Sequence, residues 1–579
     1  MFIDTRNLDE DSVVEKEICV IGAGVAGITL ALEFEKQGLD ACVLESGGYT
    51  ADERTKDLYR GTSTGLPYQF ADGCRSRYLG GSSNCWGGWN RPFEEIDFTT
   101  RHWIPDSGWP FGKEELEPYY ACAHSLLQLG PNNWDLAFWE KSINKHDVRR
   151  VPLATGKVKD IVFQFSPPTR MGTVYRNNLE GARHVSVYLY ANVINIETDN
   201  DAKTVQRVKV RTLSGRTIWI KAKLFVLATG GIENARLLLA SNKTQPAGLG
   251  NGNDLVGRYF MDHPRLLSGS IRLAKPWKSN MLYDTRFHTF NPAVSANGVM
   301  FGGHFVLAPE TQEQERVLNS QTWFRAMFPG EGTEAMRALL RLKLATMKLD
   351  QANFKLGRDL LTLLTHPVDA AGFALTRRLH ITSWITDVTF QTVVEPAPDP
   401  NSRVTLSDEC DALGIPRAKV AWKLGSLVRR TFDRTWAVLA DELQRSGVAE
   451  DVTLDPTIED QEWPPYHIGA RHHMMSGDVM VAHQDNAWPR HPEWTWHHIG
   501  TTRMHDSPKH GVVDRNCLVH GMSNLYIAGS SVFPTAAANF PTMTITALTL
   551  RLSKHIARVV REPVARVEEP SPLVCVAGA

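Results

Sequence analysis

The stretch EICVIGAGVAGITLALEFEKQGLDACVLESGG, Glu17 to Gly48, constrains this chain more than any other. Ile18 to Ile21 form a short apolar run suited to a strand buried on both faces. Gly22, Gly24 and Gly27 follow in G-x-G-x-x-G spacing, and the apolar stretch Ile28 to Phe34 continues as a helix. GLDACVLE then returns as a second strand ending at Glu45. The glycines serve a tight turn, close approach of backbone to a pyrophosphate, and close packing of helix on strand. The helix start presents free N–H groups and positive dipole to phosphates. Glu45 lies 18 residues past Gly27, where an acid reaches a ribose diol. That acid repels the extra phosphate of NADP and does not separate NAD from FAD.

With 579 residues, 42% of them hydrophobic, the chain has material for a large core shared by two domains. A formal net charge of -1 argues against a nucleic-acid or anionic-membrane partner, which selects a basic face. No apolar run approaches the ~20 residues of a bilayer span. The acidic start MFIDTRNLDEDSVVEKE does not read as a secretory signal, so a cytoplasmic location is expected. The eight cysteines are scattered without a CxxC pair, which favours reduced thiols. His472 and His473 lack acidic or cysteine partners at ligand spacing and read as loop packing, so no metal is expected.

Three later blocks add to the glycine turn. YLGGSSNCWGGWNRP, Tyr78 to Pro92, is a loop of small residues that lets backbone approach a flat ring. KLFVLATGGIENARLLLAS, Lys223 to Ser241, reads as a buried strand, a glycine turn and a helix. Near the C-terminus, Leu525 to Ala528 reads as a strand, followed by a Gly-Ser turn, a loop, and a final helix beginning near Pro541.

In order and spacing these blocks resemble the glucose-methanol-choline (GMC) family of FAD-dependent oxidoreductases, nearest its pyranose-oxidase-like sugar and alcohol branch. The resemblance implies an α/β architecture: a doubly wound, Rossmann-like FAD-binding domain assembled from discontinuous segments, plus an α+β substrate domain with an antiparallel sheet. The expected partition is 1–130, 180–265 and 495–562 for the FAD domain, 131–179 and 266–494 for the substrate domain, and 563–579 as a flexible tail. By resemblance Gly22, Gly24, Gly27 and Glu45 hold the ADP half, and Val193 lies near the adenine. Gly81, Ser82, Asn84 and Cys85 pass the isoalloxazine, and Gly529 and Ser530 contact the pyrophosphate or ribityl chain. The last helix, with Thr542 in its first turn, aims its positive end at the ring. Related sequences carry a flavin-linking histidine where this chain has Cys85, which excludes a histidyl bond there. A cysteinyl bond is chemically open, but a packed thiol and non-covalent FAD are expected.

The segment WTWHHIGTTRMH, Trp494 to His505, has two adjacent histidines. In the family the catalytic histidine precedes the glycine of a His-x-x-Gly-Thr segment by three residues, which selects His497 and leaves His498 to packing on the opposite side. Alcohol oxidation moves a hydride from carbon to flavin N5 and a proton from oxygen to a base, and a neutral imidazole suits the second task. The family pairs this histidine with an asparagine or second histidine. Spacing puts Phe540 at that position, and the neighbouring Asn539 is the expected partner.

GRYFMDHPR, Gly257 to Arg265, reads as a loop leading to the substrate domain, with His263 a structural histidine near the cofactor. Thr322 to Leu379 is helical in period with basic residues between apolar ones: a surface-binding amphipathic region, or more ordinarily a helix pair with one buried face. Ile381 to Trp422 alternates β-rich runs with turn residues, as in an antiparallel sheet over the pocket. RTFDRTWAVLADELQRSG reads as an amphipathic helix stopped by Gly447. Trp463, Trp488, Trp494 and Trp496 suit sugar C–H faces, and equally a core. The expectation is FAD-dependent oxidation of an alcohol on a sugar, glycoside or polyol, with O2, a quinone or a redox protein as acceptor. A lyase of the hydroxynitrile type or a non-catalytic flavin-binding protein is the alternative.

Overall fold

The computed structural model describes the whole chain apart from residues 67, 69–73, 144–148, 276–281, 285–294, 297, 332, 347–354, 380, 456, 458–492 and 562–579. Its frame is an eight-stranded sheet. Phe2–Asp4, Val185–Leu189, Ala41–Leu44, Ser12–Ile21 and Thr217–Leu227 lie side by side in that order, all parallel. The last of these is long enough to serve two neighbours on its far side. Its first half pairs antiparallel with Val205–Arg211, which continues to Asn192–Thr198. Its second half, Phe225 to Leu227, pairs parallel with Leu525–Ile527. The strand at Leu525–Ile527 thus lies one strand away from the strand that leads into the first glycine turn, with Thr217–Leu227 between them.

Ile18, Cys19, Val20 and Phe225 to Leu227 are fully buried, as parallel strands covered on both faces require. Helix Val25–Lys36 follows Gly24 directly and packs against the closing helix Thr542–Arg561. The expected strand, turn, helix and returning strand are all present.

A second, nine-stranded antiparallel sheet stands beside the first. Its order is Ala449–Thr453, Pro264–Leu273, Asp387–Val394, Ser320–Ala326, Val299–Leu307, Val158–Phe165 and Trp89–Asn90, with two short strands attached. Ser320–Ala326 overlaps the start of the stretch Thr322 to Leu379, whose period suggested helix. All seven of its residues are buried, so no alternation of polar and apolar marks it as a strand. The helical reading holds for Glu334–Thr346, Leu356–Thr365 and Pro367–Leu379. Arg403–Cys410 and Pro416–Trp422 form a separate small sheet with Gly61–Gly65. Helix Ser426–Arg445 ends just before Gly447, which takes a φ of 65°.

Cys122 is disulfide-bonded, which corrects the expectation of reduced thiols throughout. Cys19, Cys42, Cys74, Cys85, Cys410 and Cys517 are free. Trp463, Trp488, His472, His473 and the 563–579 tail lie outside the described residues.

Candidate active site

One cavity of about 520 Å3 joins the two ends of the chain. It is lined at one end by Gly22, Gly24 and Glu45, and at the other by Trp89, Trp323, His497 and Phe540. Gly22 adopts a φ of +106°, and a Cβ there would stand 2.6 Å from Ala228 O on the adjacent strand. A Cβ on Gly27 would fall 1.8 Å from Gly22 O, so the helix sits against the turn only because Gly27 has no side chain. Glu45 is buried with Oε2 accepting Ala23 N–H at 3.0 Å and Oε1 accepting Gly47 N–H at 3.1 Å. Burial raises its pKa, and these bonds work against that rise.

The cavity also meets Gly81, Ser82, Cys85, Val193, Gly529, Ser530 and Thr542. Gly529 has a φ of +107°, with open space where a Cβ would project, so a ligand can lie against its backbone. His498 Nε2 is buried at this wall with no hydrogen-bond partner among the described residues. The residues present fit a long dinucleotide with a flat ring at the His497 end.

Three predicted residues stand outside the lining. Gly27 acts through packing. Asn84 donates its amide to Leu79 O at 3.0 Å. Asn539 is buried, with Nδ2 donating to Pro92 O at 2.7 Å, while Phe540 presents its ring to the cavity. The structure therefore does not bring Asn539 to His497. The ring centroid of Phe540 lies 4.9 Å from that of His497.

His497 is held by residues far away in sequence. Met261 and Ile499 exchange two backbone hydrogen bonds of 3.0 Å as an antiparallel bridge. Two residues on in opposite directions, His263 and His497 face each other with their Nδ1 atoms 3.0 Å apart. His263 Nε2 lies 2.8 Å from Ala537 O. A carbonyl only accepts, so Nε2 of His263 carries the hydrogen and its Nδ1, in the neutral ring, is the acceptor. The hydrogen between the rings then belongs to Nδ1 of His497. Thr495 Oγ1, 2.9 Å from the same atom, donates onward to Asp262 Oδ1 at 3.0 Å. His497 is left with an unprotonated Nε2 that has no hydrogen bond among the described residues.

Asp262 fastens this segment. Its carboxylate accepts the backbone N–H of Trp496 at 2.9 Å, that of His497 at 2.8 Å, and the hydroxyl of Tyr68 at 2.5 Å. Burial pushes its pKa up to about 6, so it is ionised at neutral pH. Trp496 and Ala537 both hold a φ near +60° (61° and 55°), a left-handed backbone costing about 1–2 kcal/mol in a residue with a Cβ. Asp262 and His263 bond to those two residues.

Burial first, then His263, His498 and Arg265, hold the pKa of His497 well below its usual value. His263 is lowered to about 4 by burial. Both rings are neutral at physiological pH, which the tautomer assignment requires. His498 also reaches the cavity wall, and its ring packs against Phe260 and Tyr68 at centroid distances of 6.1 and 5.9 Å. It is lowered to about 3 by burial.

Asp262, His263 and His497 have ligand atoms within 4.8 Å of one another, a grouping that could hold a metal ion. Asp262 is already accepting four donors and His263 is spent on a carbonyl and a neighbouring N–H, so the three make a hydrogen-bond network. Sequence reading missed Asp262 and Thr495 and took His263 for a loop histidine. Only the HP dipeptide hinted at extended backbone there, and nothing local reveals its register against residue 497.

Residues 398–549 match the GMC oxidoreductase family model. Over nearly full length the chain is similar to the fructose dehydrogenase large subunit of Gluconobacter japonicus, at 23% identity over 94% of this chain and 98% of that one. It is 23% identical to 2-methyl-1,2-propanediol dehydrogenase of Mycolicibacterium austroafricanum, over 97% of this chain and 98% of that one. Paromamine 6'-oxidase of Streptomyces fradiae is also 23% identical, over 96% and 93%. In fold the chain resembles a fungal aryl-alcohol oxidase, with a TM-score of 0.52 at 14% identity over 96% of this chain and 100% of that structure. Among the described residues no helix is long and apolar enough to cross a membrane.

Proposed function

We propose that this chain, which matches the GMC oxidoreductase family model over residues 398–549 and is similar over nearly its whole length to a fructose dehydrogenase and a diol dehydrogenase, uses FAD to oxidise a hydroxyl of a sugar, glycoside or similar polyol, with His497 as the base. The observation that carries this reading is the bare Nε2 of His497 beside the cavity, its hydrogen committed to the opposite ring nitrogen.

Bound FAD supplies the hydride acceptor, N5. The chain's own residues do the rest. His497 Nε2 takes the hydroxyl proton, making the carbinol carbon a far better hydride donor. The resulting imidazolium keeps Nδ1–H on His263, and the ionised Asp262, joined through Thr495, offsets the buried positive charge. His263 is a positioning residue: it fixes tautomer and ring plane and touches no reacting atom.

Trp89, Trp323 and Phe540 wall the His497 end, with Trp89 centroids 5.3 Å from each of the other two. Flat apolar faces of this kind suit the C–H surface of a sugar ring. The names of the relatives point the same way: fructose, a diol and paromamine. Gly22, Gly24, Glu45 and Val193 are assigned to the ADP half, and Gly81, Ser82, Cys85, Gly529, Ser530 and Thr542 to the flavin half. Cys85 Sγ is engaged with Ser82 O at 3.3 Å, which supports a packed thiol and non-covalent FAD. The acceptor is O2, a quinone or a redox protein.

The test is anaerobic mixing of the yellow protein with a panel of sugars, polyols and simple alcohols while following flavin absorbance. Bleaching by polyols is expected. A flavin that dithionite bleaches but no alcohol does would sink the proposal in favour of lyase chemistry or mere flavin binding.

A further inference from the structure

Eight of the thirteen exposed large hydrophobic side chains among the described residues fall between positions 356 and 384. They are Leu356, Leu360, Leu361, Leu364, Val368, Leu375, Leu379 and Trp384. Leu364 and Val368, at the junction of helices Leu356–Thr365 and Pro367–Leu379, are 78% and 81% exposed.

The first of these helices is turned inside out. Its buried residue is Asp359, which takes the Arg341 guanidinium at 2.7 and 3.0 Å and the Lys355 N–H at 3.1 Å. Leu356, Leu360 and Leu364, one face at i, i+4 and i+8, point to solvent. The second helix docks by Phe373, in a small cluster with Met336 and Leu340 separate from the main core, while Val368, Leu375 and Leu379 stay outside. A helix pair that spends an ion pair on docking and leaves its leucines in water has an apolar face built for something else.

The charge around that face is one-sided. Lys355, Arg358 and Arg378 are exposed, Arg358 also reaching Asp359 Oδ1 with its Nε at 3.3 Å, whereas the acids of the same two helices, Asp359 and Asp369, are buried and half-buried. Exposed leucines flanked by exposed cations on amphipathic helices are what an anionic lipid surface receives. The net charge of -1 conceals this local balance.

We propose that helices Leu356–Thr365 and Pro367–Leu379 dock the enzyme on the surface of a membrane containing anionic phospholipids. The leucines enter the headgroup and acyl boundary without crossing it, and Lys355, Arg358 and Arg378 meet phosphates. This inference is independent of the substrate reading, since none of these residues lines the cavity.

The experiment is flotation of the FAD-loaded full chain with vesicles of phosphatidylcholine alone or mixed with phosphatidylglycerol. Three forms are compared: the native protein, L361D/L364D/V368D, and K355Q/R358Q/R378Q, each checked for FAD content and thermal unfolding. Native protein is expected to float with the mixed vesicles. The aspartate triple should lose at least about tenfold in partitioning, and the glutamine triple about fivefold for each charge removed. Failure of the native protein to float, or equal flotation of all three, would overturn the proposal. So would a native dimer in light scattering, without vesicles, that the aspartate triple dissociates, because the face would then be an interface between copies. If the aspartate triple unfolds early, the glutamine triple, which leaves every packed apolar group in place, decides alone.

Discussion

The glycine turn at Gly22–Ala26 and the histidine segment at Thr495–His498 line the same cavity and work in opposite ways. The turn acts through backbone: its φ, its N–H groups and the missing Cβ atoms are properties of the consecutive residues Gly22 to Gly27. The histidine segment acts through one ring nitrogen, whose state is decided by Asp262, His263 and Ala537, all distant in sequence. A binding cradle for a chain-like ligand can be written locally. A base needs its hydrogen placed by partners that only the tertiary fold delivers.

The sharpest break of that contrast is at Gly27. Gly27→Val drives a Cβ into Gly22 O, and we expect the purified protein to lack FAD and to unfold several degrees early, seen as a colourless sample with a lowered Tm. A yellow, stable variant would mean that the turn tolerates a shift. Next is His263→Gln, which removes the fixed acceptor for His497 Nδ1–H. Flavin reduction should slow by about 10–100-fold with FAD still bound, and His263→Ala should fall further. A purely structural His263 would cost stability and leave the reduction rate of the folded fraction intact.

A smaller effect sharpens the same point through pH. An ordinary imidazole is largely protonated at pH about 6 and would lose most of its activity as a base. The lowered pKa of His497 keeps it neutral as pH falls and leaves Asp262, at about 6, as the group that titrates, so the anaerobic reduction rate should fall by no more than about twofold between pH ~8 and ~6. A decline centred near 6.5 would place His497 in an unperturbed setting. Smallest is Asn539→Ala. Since its amide serves Pro92 O, we expect about 1 kcal/mol of lost stability and nearly native reduction; a large rate loss with unchanged Tm would return Asn539 to the reacting centre.

The parallel sheet and its glycine turn were legible because their signals are local: an apolar run, three glycines and an acid within one βαβ unit. His497 was singled out by the family's spacing to Gly500, and the structure sets it in the cavity lining. His263 was not, because its role arises from an antiparallel bridge between Met261 and Ile499, and a register leaves no trace in either segment alone. Asn539 and Phe540 show the converse. Adjacent residues on a turning loop face different ways, and the count alone could not say which one the loop would turn into the wall. Strand Ser320–Ala326 was hidden by burial on both faces.

The most direct test of the proton-accepting assignment compares His497→Ala with His498→Ala, both loaded with FAD, in anaerobic reduction by a polyol that bleaches the native enzyme. The account predicts a loss of about 10²–10⁴-fold at position 497 and less than tenfold at 498, with flavin retained in both. Equal losses in the two variants, or a near-native rate without the imidazole of His497, would contradict it.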